Sequence, residues 1–146
     1  MAKITAFETR RMIQSGKNSP YNSFAKAEFE HRSMRLLKQV RTLLGLTPKT
    51  CRVHYNAGGM AVSGESTLHS DRVYIQVSGF TDLGILVRAV TGRSDYSGKA
   101  NHYFSFDRLI DFGAHGLAQF AEQIASQHTG LNWSKSPACD TCGISR

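Results

Sequence analysis

Long apolar runs are absent from this chain. Stretches such as Gly84-Ile85-Leu86-Val87 are only a few residues long, whereas a membrane-spanning helix needs about 20. Cysteine is scarce too: three in 146 residues is an odd number and too few for a disulfide framework, which points to a reducing, cytoplasmic setting. The N-terminus, Met1-Ala2-Lys3-Ile4-Thr5, lacks the apolar core and cleavage pattern of a secretion signal. No membrane partner is therefore expected. Neither glycine-rich phosphate cradle, G-x-x-x-x-G-K-[ST] or G-x-G-x-x-G, occurs, so the nucleotide-binding folds built on them are poorly supported.

Acidic residues are thin where basic ones gather. The net charge is +7; residues 1–50 hold ten Lys/Arg against three Glu, and residues 51–146 hold eight charges of each sign. A uniformly basic chain would merely be soluble, but a segregated one presents a directional field that steers a polyanion. Nucleic acid and an acidic protein are the partners this fits. Apolar residues at 40% and charged residues at 20% are globular proportions, and the length suits one domain that buries its core without staples.

Three stretches organise the chain. Residues 1–23 read as a basic arm carrying Lys3, Arg10, Arg11 and Lys17, because the turn-rich run from Ser15 to Ser23 interrupts any helix begun at Ala6. Residues 24–130 read as the single α+β domain. Its first helix, about 24–46, has Ser23 as a plausible cap, Gly45 near its end and Pro48 just beyond. Phe29, Ser33, Leu36, Leu37, Val40, Leu43 and Leu44 recur at helical spacing on one side. His31, Arg35, Lys38 and Arg41 occupy the other, with Arg32 at the margin and Glu28 four residues before it. The period then changes to two: Val73, Ile75 and Val77 alternate with Arg72, Tyr74 and Gln76, and similar short runs lie at 49–56, 61–68, 84–90 and 101–106. No helix-length segment separates these runs, so the sheet should be antiparallel. Asp107 can cap a last helix, about 107–128, whose Gly113 and Gly116 suggest close approach to the sheet. Both helices have one apolar stripe. The expected fold is a two-layer α+β sandwich: an antiparallel sheet of three to five strands covered on one face by two helices. Residues 131–146 form a tail.

Two sets of residues invite chemistry. Cys139-Asp140-Thr141-Cys142 in the tail has the spacing of half a zinc site, a weak signal on its own, and completing it would require Cys51, His115 or His128. No cofactor is expected; zinc is the alternative that this pair admits. His54 and His102 both fall in strands. If they met, they would form an acid–base pair for phosphodiester cleavage, with Arg88 or Lys99 on the phosphate. The preferred function is non-catalytic: Arg35, Lys38 and Arg41 on the helix, with Arg10, Arg11 and Lys17 of the arm and Arg93, Tyr96 and Lys99 of the 92–99 loop, engage a nucleic-acid backbone. The alternatives are a protein–protein effector or inhibitor with an acidic partner, and a small metal-independent nuclease or phosphoesterase using the strand histidines.

Overall fold

The computed structural model describes residues 4–91 and 100–129. Eight elements follow in order: α1 (Ala6–Asn18), α2 (Ser23–Leu43), β1 (Arg52–Asn56), β2 (Glu65–His69), β3 (Val73–Ser78), β4 (Ile85–Ala89), β5 (Asn101–Phe104) and α3 (Phe106–Thr129). The strands form one antiparallel meander in the order β1-β2-β3-β4-β5. This is the expected α+β arrangement, at the upper end of the expected strand number and with one more helix.

The extra helix is α1, where the sequence reads as an arm. Hydrophobic spacing hides it because its buried positions are Thr9, Met12, Ser15 and Gly16, of which only Met12 is strongly apolar. Its start is nevertheless written locally. Thr5 and Glu8 have the spacing of a capping box, and the Thr5 hydroxyl accepts the Glu8 N–H at 3.1 Å. The turn-rich run does not break the helix: its first four residues, from Ser15 to Asn18, lie inside α1, and the turn comes at 19–22. Helix α1 packs antiparallel on α2, since Ile4 N–H donates to Gln39, Arg11 meets Glu28, and Glu8 meets Arg35.

Asn22, one residue before the expected Ser23, caps α2 by accepting the Ala25 N–H at 3.0 Å. Gly45, at φ 75°, ends it with paired bonds from Gly45 N–H to Thr42 and from Leu46 N–H to Arg41. This is the left-handed stop that glycine accepts without strain. Phe29, Ser33, Leu36, Leu37 and Val40 of the expected stripe of α2 are buried, each no more than 1% exposed, but at its C-terminal end Leu44 is half-buried and Leu43 is 37% exposed. A polar contact joins α2 to the sheet: the Ser33 and Ser66 hydroxyls lie 2.6 Å apart, and Ser33 also donates to the Phe29 carbonyl. Buried polar groups need such partners.

Pairing register divides the sheet into two faces. Leu68, Ile75, Val87 and their neighbours Val73, Val77 and Ile85 face α2 and α3 and are fully or almost fully buried. Helix α3 closes this side against β3, β4 and β5. Gly113 kinks α3 by adopting φ 67°. The expectation of close approach holds for Gly116, where an added Cβ would sit 3.2 Å from the Phe104 ring, but Gly113 faces open space. The described helices thus pack on one face of the sheet. No described helix is long and apolar enough to cross a membrane.

Candidate nucleic-acid interface

On the face away from the helices, the register aligns side chains from all five strands into rows. Arg52 pairs with His69, His69 with Tyr74, Tyr74 with Arg88, and Arg88 with Asn101. The next row runs His54, Thr67, Gln76, Leu86 and Tyr103. At neighbour spacings of about 4.8 Å, each row spans roughly 19 Å. Neither row contains a carboxylate; Glu65, level with Asn56 and Ser78, begins the third. Sheet chemistry explains the layout: in a strand successive side chains alternate faces, so the apolar half of β3 is buried and its polar half is directed outward.

The rows are internally braced. The Tyr74 hydroxyl donates to Gln76 Oε1 at 2.8 Å, and Gln76 Nε2 donates to the Ser78 hydroxyl at 2.9 Å. The His69 ring meets Tyr74 edge-on, with centroids 4.8 Å apart and planes at 67°. Burial, then the nearby charges of Arg52 and His54, holds the His69 pKa below its ordinary value of 6.5. At the two margins, Arg52, His54, Asn101 and Tyr103 are exposed.

The helix face expected to bind a backbone is arranged differently. Arg35 donates to both Glu8 oxygens, at 2.8 and 3.1 Å, and the hydrogen bond with Glu8 raises its pKa. Arg11 donates to both oxygens of Glu28, and Arg32 bridges Glu28 at 2.9 Å and Glu8 at 3.6 Å. Burial pushes the Glu28 carboxyl up, but hydrogen bonds from Arg32 and Arg11 outweigh it and leave its pKa low. These five side chains hold α1 against α2. Arg41 is half-buried and donates to the Cys51 carbonyl at 3.3 Å. Of the other cations on these helices, Arg10, Lys17 and Lys38 are exposed. Two of the three glutamates that dilute the basic half of the sequence, Glu8 and Glu28, therefore lie against the arginines, which sequence position does not reveal.

The histidine pair is not assembled. His54 lies on β1 and His102 on β5, at opposite edges of the sheet. His54 shares the outer face, whereas His102 is level with Val87 on the helix-facing side. An acid and a base on opposite faces, about 19 Å apart in strand spacing, cannot serve one phosphodiester. Arg88 is on the outer face, away from His102. Cys51, the cysteine within the described residues, is buried, and those residues contain no group of three metal-ligating side chains. Cys139, Cys142, Arg93, Tyr96 and Lys99 lie outside the described residues.

No protein-family model matches the chain, and neither a curated protein nor a solved structure matches it.

Proposed function

We propose that this protein is a non-catalytic nucleic-acid-binding module, and that its outer sheet face is the binding surface. The observation carrying this reading is the pair of carboxylate-free rows, in which two arginines and two histidines share one face. A polyanion meets attraction there without a fixed negative charge in the rows to oppose it. The exposed Arg10, Lys17 and Lys38 extend the positive field over the helical side and contribute to long-range steering, while Arg11 and Arg35 brace the fold. Titration of the full chain against DNA and RNA at about 50 and 200 mM salt tests the proposal. Contact with two or three phosphates should cost about tenfold in affinity across that range. Absence of salt-sensitive binding at the lower concentration would overturn it.

A second reading, an effector or inhibitor of another protein, draws on a different surface. Tyr21, Phe24 and Met60 are exposed where the 57–64 loop meets the turn between α1 and α2. Tyr21 N–H donates to the Met60 carbonyl at 2.7 Å, and Lys26 Nζ donates to the Ala57 and Gly59 carbonyls. Exposed apolar clusters of this kind are common at protein contacts. Failure of the nucleic-acid titration would bring this end of the molecule forward.

A further inference from the structure

We infer that this protein pairs with a second copy of itself through an apolar, nearly uncharged surface at one end of the sheet. The contact is independent of the nucleic-acid reading of the sheet face.

Three loops build the surface. Glu65 is level with both Asn56 and Ser78, so the 57–64 loop and the 79–84 turn leave the sheet at the same end. Gly79 N–H donates to the Gly64 carbonyl at 3.0 Å, which ties the two together. The turn between α1 and α2 joins them through Ser63. Its hydroxyl donates to the Gly16 carbonyl at 2.9 Å and lies 2.7 Å from the Ser19 hydroxyl, and Gly16 packs on the Gly79 backbone. Tyr21 adopts φ 61°, a left-handed conformation that bulky residues rarely take, and its N–H donates to the Met60 carbonyl. Around this junction Tyr21, Phe24, Met60, Val62, Phe80 and Leu83 are each 50–86% exposed.

Charge selects the occupant. Residues 19–24, 57–64 and 79–84 are twenty residues with one charged side chain, Asp82, whereas a chain that is 20% charged would place four there. Solvated loops are ordinarily polar. Two copies that each carry +7 repel where their basic surfaces meet, so the end with the fewest charges is where they approach at least cost. Lys26 reaches the 57–64 loop, but its ammonium is held by the Ala57 and Gly59 carbonyls. Asp82 within the surface and Lys17 at its α1 margin make no ion pair among the described residues, so each is open to the opposite charge on a second copy.

Area agrees. Aromatic side chains bury about 150–250 Å² each, so Tyr21, Phe24 and Phe80 at 70–86% exposure offer roughly 350–580 Å². On the transfer scale Met60, Val62 and Leu83 add about 100–200 Å². The sum reaches the upper end of the largest patch on an ordinary monomer, about 300–600 Å², and approaches the ~800 Å² that each partner gives to a stable complex. The exposed 57–61 backbone supplies the remainder. A closed two-fold pair uses the same patch on both copies, and a patch of one chemical character is complementary to itself.

The test is light scattering on the eluting full chain, loaded between about 1 and 200 µM, and repeated at about 50 and 200 mM salt. The mass should rise with concentration from 16.2 kDa toward twice that value. Added salt should leave the pairing unchanged or strengthen it, because it screens the repulsion between the two chains. Phe24→Glu and Phe80→Glu should each raise the dissociation constant at least about tenfold. Glutamate at the second residue of α2 suits the positive end of that helix, so Phe24→Glu should keep the native thermal midpoint of the separated chain. Phe7→Glu, at the far end of α1 from Tyr21, is the control and should pair normally. A mass that stays at 16.2 kDa throughout would overturn the inference and assign the surface to a different protein. Pairing that survives both Phe24→Glu and Phe80→Glu, or that weakens with salt, would overturn it as well.

Discussion

Replacing Arg35 and Arg52 separately by glutamine distinguishes a charge that braces the fold from one that meets a ligand. Arg35 makes two hydrogen bonds to Glu8, and the two side chains are 28% and 15% exposed. Loss of the guanidinium leaves a mostly covered carboxylate whose remaining cation is Arg32 at 3.6 Å. Breaking a fully buried pair costs about 3–5 kcal/mol, and exposed pairs contribute about 0.2–1 kcal/mol. Partial exposure and the surviving Arg32 place Arg35→Gln between them, at about 1–2 kcal/mol. With a urea slope of about 2 kcal/mol/M, the unfolding midpoint should fall by about 0.5–1 M. Arg52 is exposed on an edge strand, so Arg52→Gln should change stability by no more than about 0.5 kcal/mol. It should nevertheless weaken oligonucleotide binding and reduce the logarithmic salt slope by about 1, the signature of one lost phosphate contact. Urea unfolding followed by circular dichroism and anisotropy at two salt concentrations read both effects. The reasoning is refuted if Arg35→Gln unfolds at the native midpoint and loses affinity while Arg52→Gln binds normally.

Two further outcomes follow from packing and protonation. An added Cβ at Gly16 would lie 2.5 Å from the Gly79 carbonyl oxygen and 2.9 Å from its Cα, both backbone atoms, whereas one at Gly59 meets nothing within 4 Å; Gly16→Ala should therefore cost about 1–3 kcal/mol in thermal or urea unfolding, with Gly59→Ala as the neutral control. His69 is held below pH 6.5 in the fold, so its contribution to stability is present above that pH and is lost as pH falls through the depressed value. An anion on the face favours the protonated ring, so affinity should rise as pH drops below 6.5. Arg52, His54 and Tyr74 adjoin His69, Glu65 lies on its own strand and Asp71 in the next turn. A His69→Gln variant should lose this acidic increment in anisotropy measurements, and an unaltered pH profile would remove His69 from the site.

The sheet is legible in the sequence because its residues carry the two-residue period themselves, and α2 because its apolar stripe, from Phe29 to Leu44, continues for about four turns. Helix α1 is obscure to the same reasoning. Apart from Met12, its buried face is built from Thr9, Ser15 and Gly16, which mark no hydrophobic stripe, and Gly16 lies close against the Gly79 backbone. The Thr5–Glu8 capping spacing was the available signal. Charge segregation is legible, but its cancellation is not: Glu8 and Arg35 are 27 positions apart and meet only when α1 folds back on α2. The outer rows are hidden for a related reason. Arg52, His69, Tyr74, Arg88 and Asn101 have no common spacing, and four strand registers are needed to place them in line. The same registers separate His54 from His102, whose strand positions alone suggested a pair.

The most direct test of the sheet-face proposal is an amide chemical-shift titration of the full chain with a short single-stranded oligonucleotide. Saturable perturbations should centre on Arg52, His54, His69, Tyr74, Gln76 and Tyr103, with little change along α2. Perturbations centred on Arg10, Lys17 and Lys38, with the strands silent, would contradict it.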